Sequence, residues 1–386
     1  MDHRRFTRNP FGELKLTAED RARIVDITDA IIMERFEDYE DYLYTSKTVN
    51  PRRWKKIAKC GPMTTYRECK SRNPSFKLPY MLMAGPLPGS LDENMFGIVN
   101  PTIEAVRIKT SYLNDVSAAA VLATILEPTV DDPFRSVVVK WMEIDIPLAC
   151  FGIVRNRDYV YIESTGIILL KNGDRVGYHL LHSTSFPKAP ELLNRVRANM
   201  SLCGLFLQVA PDQTDCHGTG IMDPRGDMIR SMAIAGMVQA MMAGLKYSHC
   251  SQMKKLALLL EKRQTAVRES GTPAFRPFCI TCTKGVRSSR FGGPINTCKL
   301  CFNAVCSACK ITKKLSVIAP DLTLVQRKVT FCVKCVVEAT QMDSQEAARE
   351  QFVYKKSLLL SMTAYASISD PSTSSESVRS NDMFTT

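Results

Sequence analysis

Eight of the fourteen cysteines fall into four CxxC pairs: Cys279 with Cys282, Cys298 with Cys301, Cys306 with Cys309, and Cys332 with Cys335. A two-residue spacer lets the backbone bend until both thiolates reach one tetrahedral ion, and eight thiols make two sites of four. The expected ions are two Zn²⁺, redox-inert and suited to a closed thiolate shell, with an iron–sulfur site or fortuitous spacing as the alternatives. The other six cysteines, at 60, 69, 150, 203, 216 and 250, lack such spacing and read as small hydrophobic residues. The opening MDHRRFTRNPFG is charged and has no apolar signal core, so a reducing cytoplasmic setting is expected, where close cysteines bind metal.

The segment around the thiols is basic. From Arg276 to Val337 eleven Lys and Arg stand against one acid, Asp321, and eight thiolates with two Zn²⁺ add −4, so the folded zinc module would carry +6. An anionic partner is expected, phospholipid headgroups or nucleic acid, against a merely solubilising surface. Nucleic acid is the weaker of the two, because the basic residues are not interleaved with stacking aromatics. The candidate membrane contacts are Lys284, Arg287 and Arg290 beside Phe291 in KGVRSSRFGG, with Lys299. Such a loop either docks on an anionic bilayer, at about 1 kcal/mol per cation, or is solvated.

No catalytic residue is assigned. His179, His182 and His217 have no nucleophile motif beside them, and the i to i+3 spacing of the first two in YHLLHS puts them on opposite faces of a strand. No stretch is long and apolar enough to span a bilayer; SMAIAGMVQAMMAGL has 15 residues where roughly 20 are needed.

The elements that must position these residues are legible in part. Thr17 and Asp20 resemble a capping box, and Ile24, Ile27, Ile31 and Phe36 recur near helical period, predicting a helix over about 17–43. RRWKKIAKC, TTYRECK, PYMLMAG and ENMFGIV read as strands, and TIEAVRIKTSYLNDVSAAAVLATIL as a helix. FRSVVVKWMEIDI, RDYVYIESTGIILL, RVGYHLLHSTSF and MSLCGLFLQVAP read as further strands, after which HGTGIMDPRG turns the chain into one long helix over about 227–263. Its stripe includes Ile229, Met232, Met237 and Met241, which is either ordinary core or an adaptable wall for a variable apolar ligand. The order describes an α+β domain whose curved antiparallel sheet wraps a long C-terminal helix.

Residues 15–262 resemble the steroidogenic-acute-regulatory-related lipid transfer (START) family. The resemblance rests on Trp54, Arg157-Asp158 in NRDYVYIE, Ser185 with Pro187 and Pro190, Val196-Arg197 with Gly204, and Asp223-Pro224 with Gly226. It implies a helix-grip fold, a lipid cavity under the C-terminal helix, and a lipid ligand of unspecified class. Glu163, where sterol-binding members place an arginine, is a cavity acid or a solvated strand residue. Residues 276–337 resemble a degenerate FYVE-type finger by their ligand order. That likeness implies cross-bracing, with Cys279, Cys282, Cys306 and Cys309 on one ion and Cys298, Cys301, Cys332 and Cys335 on the other. The pair of likenesses suggests an architecture abundant in oomycetes and a location in the cytoplasm, peripheral on endosomal or other internal membranes.

The expected divisions are a lead-in 1–14, a START-like domain 15–264, a linker 265–275, a zinc module 276–340, and a short helix with a disordered Ser/Thr-rich tail 341–386. The expected function is non-enzymatic lipid binding with the zinc module as membrane or protein adaptor. A scaffold with an empty pocket and a helix-grip hydrolase or cyclase are the alternatives.

Overall fold

A capping box opens the first helix: the Thr17 hydroxyl accepts from the Asp20 amide at 3.1 Å and the Asp20 carboxylate accepts from the Thr17 amide at 3.2 Å. The computed structural model describes residues 9–70, 78–113, 116–144, 154–226, 228–271, 276–286, 296–319 and 321–354. Helix α1 (Ala18–Tyr44) buries Ile24, Ile32, Phe36 and Tyr39. There follow β1 (Trp54–Cys60), β2 (Met63–Glu68), β3 (Met81–Pro88), α2 (Leu91–Ile98), α3 (Ile103–Leu113), β4 (Ala118–Leu126) and β5 (Ser136–Ile144). Then come β6 (Asn156–Leu169), β7 (Arg175–Ser183), β8 (Arg195–Arg197), β9 (Asn199–Ala210) and β10 (Gln213–Asp223).

These strands form one sheet in the order β1-β2-β3-β10-β9-β7-β6-β5-β4, antiparallel except that the short β8 pairs parallel with β6. Helix α1 covers the outer face, packing Ile32, Phe36 and Tyr39 on Val176, Tyr178, Leu180 and Leu205. The inner face is covered by α2 and by the C-terminal helices, with Met95, Phe96, Met237 and Leu258 in one core with Tyr159, Tyr161 and Phe206. Period two sorts each strand between these cores: Val160 and Ile162 face α1 while Tyr159 and Tyr161 face inward. This is the helix-grip arrangement that the START likeness implies.

Four local expectations are corrected. ENMFGIV is not a strand but most of α2, because Ser90 caps it, its hydroxyl accepting from the Glu93 amide at 3.1 Å. SAAAVLATIL leaves the expected helix to become β4, buried on both faces between Ala119 inside and Ala118, Ala120 and Leu122 outside. HGTG lies within β10, and its Gly220 answers crowding rather than a turn. At Gly220, with φ +157, an added Cβ would stand 2.2 Å from the Ser201 carbonyl oxygen. The single helix over 227–263 is two: α4 (Arg230–Met242) and α5 (Tyr247–Ser270), joined by a 3-10 turn at Ala243–Lys246 that contains Gly244. Helix α5 therefore continues through most of the segment read as a linker.

After the thiol-bearing segment come β11 (Ile311–Ile318), β12 (Leu324–Phe331), α6 (Val333–Gln341), α7 (Ser344–Arg349) and a π-helical turn at Glu350–Tyr354. The last pieces return to the helix-grip layer. Ala347 and Ala348 enter its core, Gln345 donates to Asp92 at 3.0 Å, and Phe352 meets Phe96 edge-on at 6.3 Å.

Several of the motif residues that carry the START likeness form one structural network. Arg157 donates to the Pro224 and Arg225 carbonyls, both at 3.1 Å, tying β6 to the DPRG turn. Asp158, fully buried, accepts from Trp141 at 2.9 Å and from Arg197 at 3.1 and 2.9 Å, while Arg197 also holds the Ala189 and Pro190 carbonyls. Asp158→Ala leaves the arginine without its counter-ion, so a loss of about 3–5 kcal/mol is expected, checked by urea unfolding against Trp141 fluorescence.

Candidate functional site

The eight paired cysteines converge in two groups. Cys279, Cys282, Cys306 and Cys309 bring their sulfurs within 4.8 Å of one another, as do Cys298, Cys301, Cys332 and Cys335. This is the interleaved pairing that the FYVE likeness implies. A tetrahedral thiolate site with bonds of about 2.3 Å has edges of about 3.8 Å, and Cys282–Cys306 at 3.7 Å and Cys301–Cys332 at 3.9 Å fit it. Either group could hold a metal ion.

Local backbone shapes each pair. The Cys279 amide donates to the Lys284 carbonyl at 2.8 Å and the Cys298 amide to the Asn303 carbonyl at 2.9 Å, closing two equivalent knuckles. The residue after each second cysteine, Thr283 at φ 58 and Phe302 at φ 60, takes the left-handed turn that closes the loop. Cys332 is the N-cap residue of α6 and Cys335 lies in its first turn.

The module is not a free appendage. Met253, Leu256, Leu259 and Leu260 of α5 share a core with Cys298, Leu300, Leu315, Phe331 and Cys335, while Leu258 of the same helix belongs to the helix-grip core. Helix α3 is tied as well: the Ser316 amide donates to the Tyr112 hydroxyl at 2.7 Å, Ser111 meets Ser316 at 2.7 Å, and Arg107 donates to the Leu322 carbonyl. Residues 253–261 of α5 are all buried, with side chains in both cores, so α5 is clamped between two layers.

The expected membrane contacts are only partly visible. Lys284 is exposed and Lys299 half-buried; Arg287, Arg290 and Phe291 lie outside the described residues. Cys150 and the Ser/Thr-rich tail lie outside them too.

A cavity sits between the inner face of the sheet, α3, the end of α4 and the first turn of α5. Counted as room for the centre of a water molecule it measures about 90 Å³, space for several waters, since one needs about 10–15 Å³ on that measure. Most of its wall is apolar, including Met142, Leu181, Met200, Leu202 and Met222. Glu163 lines it and is buried, 4% exposed. The four helix residues expected at the cavity or lid are not in its wall; Ala240, Ala243 and Tyr247 are. Met237 and Met241 are buried in the neighbouring core, Met232 is half-buried, and Ile229 is 65% exposed at the N-cap of α4.

Around Glu163 stands a polar cluster that sequence reading missed. Its Oε1 accepts from Asn100 at 3.2 Å and Lys109 at 3.3 Å and lies 2.6 Å from His179 Nε2; its Oε2 accepts from Lys140. Strand register makes the group: Glu163 pairs with Val138 and Leu181, so Lys140 and His179 are its diagonal neighbours on the same face. Despite burial, the two ammoniums and His179 hold the Glu163 carboxyl well below the carboxylate range. Burial, followed by Lys109, pushes His179 down, so its ring is neutral and Nε2 is the donor to Glu163. No serine or cysteine is among the residues lining the cavity.

Burial also pulls Lys140 and Lys254 down to about 8 from the ordinary 10.5. Lys254 donates to the Phe96 and Val99 carbonyls at 2.6 and 3.2 Å, beneath the rings of Phe96 and Phe352. Between about pH 8 and 9.5 the unfolded chain keeps protons that the native state has released. Stability is therefore expected to rise with pH, by at most about 1.4 kcal/mol per pH unit per lysine. Denaturant midpoints across that window check this, and Lys254→Met should remove one lysine's share of the slope.

Among described residues no helix is long and apolar enough to cross a membrane. No protein-family description and no curated protein matches the chain. Solved structures similar to it include human StAR-related lipid transfer protein 5, at 12% identity over 59% of this chain and 98% of that one, with a TM-score of 0.43. Human STARD10 is similar at 16% identity over 54% and 80%, TM-score 0.38. A STAR-related lipid transfer protein fragment from Xanthomonas axonopodis is similar at 18% identity over 51% and 98%, TM-score 0.37.

Proposed function

We propose that the chain is a non-enzymatic lipid-binding protein of START type, with a two-zinc, FYVE-like module serving as membrane or protein adaptor. The observation that carries it is the mostly apolar cavity closed in part by the end of α4. That helix is lightly held: only Ala233, Met237 and Met241 are buried, no side chain caps its start, and the 3-10 turn separates it from the clamped α5. Mid-helix 3-10 turns often mark hinges, and few buried contacts mean local opening at low free energy. Helix α4 swings out, an apolar chain enters, and burial at about 0.8 kcal/mol per CH₂ retains it.

Two Zn²⁺ fit the thiolate groups in geometry and donor chemistry, and their role here is structural, since four sulfurs leave no open position. With its ions bound the module is basic, with exposed Lys284 beside the segment that holds Arg287, Arg290 and Phe291, and peripheral association with anionic internal membranes from the cytoplasm follows from that chemistry.

The small cavity favours a second reading, a scaffold with an empty pocket. Incubating the purified chain with vesicles of a mixed eukaryotic lipid extract, re-isolating it, and counting co-purifying lipid separates the two. A carrier retains about one lipid per chain, and a scaffold retains none.

A further inference from the structure

We infer that the cavity receives the anionic head of an amphipathic ligand, a carboxylate or phosphate ending an apolar chain, with Lys109 as its counter-ion. This rests on the lipid-binding reading and names its ligand class.

The charge around Glu163 does not balance. Two ammoniums, Lys109 and Lys140, share that one carboxylate, and His179 beside it is neutral. The donors are unequally used. All three N–H groups of Lys140 are taken, by Glu163 and by the carbonyl and side-chain oxygens of Asn100. Among the described residues Lys109 makes a single hydrogen bond, at 3.3 Å, to an oxygen already serving Asn100 and His179, and its ammonium lies 5.9 Å from the centre of the Tyr247 ring. Two of its donors are left over, on a residue that lines the cavity and is only 9% exposed. A third buried ammonium, Lys254 in the same helical layer, is hydrogen-bonded to two carbonyls and adds to the positive field.

An unmatched cation in an apolar space is unfavourable until an anion or water satisfies it. A ligand with an anionic head does both: it takes the free donors of Lys109 and neutralises the excess charge. Its chain would then lie along Met142, Leu181, Met200, Leu202 and Met222. A neutral alcohol head would leave the charge unmatched. The limited volume favours a single chain.

The test titrates delipidated full-length chain with oleate, oleyl phosphate and oleyl alcohol, which share one chain and differ only at the head. Displacement of a neutral polarity-sensitive dye is the readout. The expected result is one anion per chain with oleyl alcohol about ten-fold or more weaker, the worth of a hydrogen bond to a charged group; the tighter of the two anions names the head. Lys109→Met should bring both anions down to the alcohol's affinity without changing the alcohol's, and Lys109→Arg should restore the difference. If Lys109→Met does not fold, the ranking on the unmodified chain decides alone. Oleyl alcohol binding as tightly as the anions overturns this inference and leaves lipid binding standing. No binding of any of the three overturns both.

Discussion

Stripping both metal ions should lower the melting temperature of the whole chain by about 10 °C or more, because structural zinc binding is folding free energy. The effect reaches beyond residues 276–340. Met253, Leu256, Leu259 and Leu260 of α5 are buried against the thiolate clusters, and α3 hangs on Ser316 and Leu322 of the β11-β12 hairpin. Loss of the ions exposes that face of α5 and loosens α3, which carries Lys109 into the cavity wall. Calorimetry before and after chelation, with metal counted by elemental analysis, checks both the coupling and a stoichiometry of two. Cys298→Ser, at a buried position, should behave like partial stripping. A helix-grip transition that keeps its melting temperature when both ions leave would contradict the clamp.

Gly97→Ala should be the most damaging single methyl in the molecule's inner layer. An added Cβ would stand 2.0 Å from the Tyr247 carbonyl oxygen and 2.7 Å from its carbon, backbone atoms that cannot rotate away. Helix α2 and the start of α5 must separate, at a cost of about 3 kcal/mol or more. The cavity should fail as well, since Tyr247 lines it. Gly236→Ala is the matched control: in α4, nothing lies within 4 Å of its added Cβ. It should stabilise by about 0.5–1 kcal/mol through helix propensity, and slow ligand exchange if α4 is the moving part. Urea midpoints of the two variants, moving in opposite directions, check the pair.

Much of the chemistry was legible because spacing encodes it. Four CxxC pairs point to two tetrahedral sites, and their interleaving follows the finger they resemble. Thr17 and Asp20 announced α1 for a similar local reason. The failures came where a local cue was outweighed or passed over. Ser90 and Glu93 in SLDE carry the cap that makes α2 a helix, a signal present in the sequence. The glycines of HGTG looked like a turn, whereas tertiary crowding at Ser201 requires Gly220. The Glu163 cluster was the hardest to see, because Lys140 and His179 reach Glu163 through sheet register while Lys109 comes from helix α3, far away in sequence. A hint existed in VVVKWM and VYIEST: opposite charges embedded in two successive strand-like apolar runs. Nor could spacing show that α5 is shared between two cores, since the sequence carries its apolar residues without saying which layer each side meets.

The central claim is that this chain carries a lipid while its two ions hold the scaffold. Non-denaturing mass spectrometry of full-length protein purified from a eukaryotic host, with and without mild activation, tests it most directly. The predicted result is an excess mass of two zinc ions plus one dissociable lipid-sized adduct, whose head is anionic. Two zinc ions with no adduct, even after incubation with mixed membranes, would contradict the carrier and leave the scaffold.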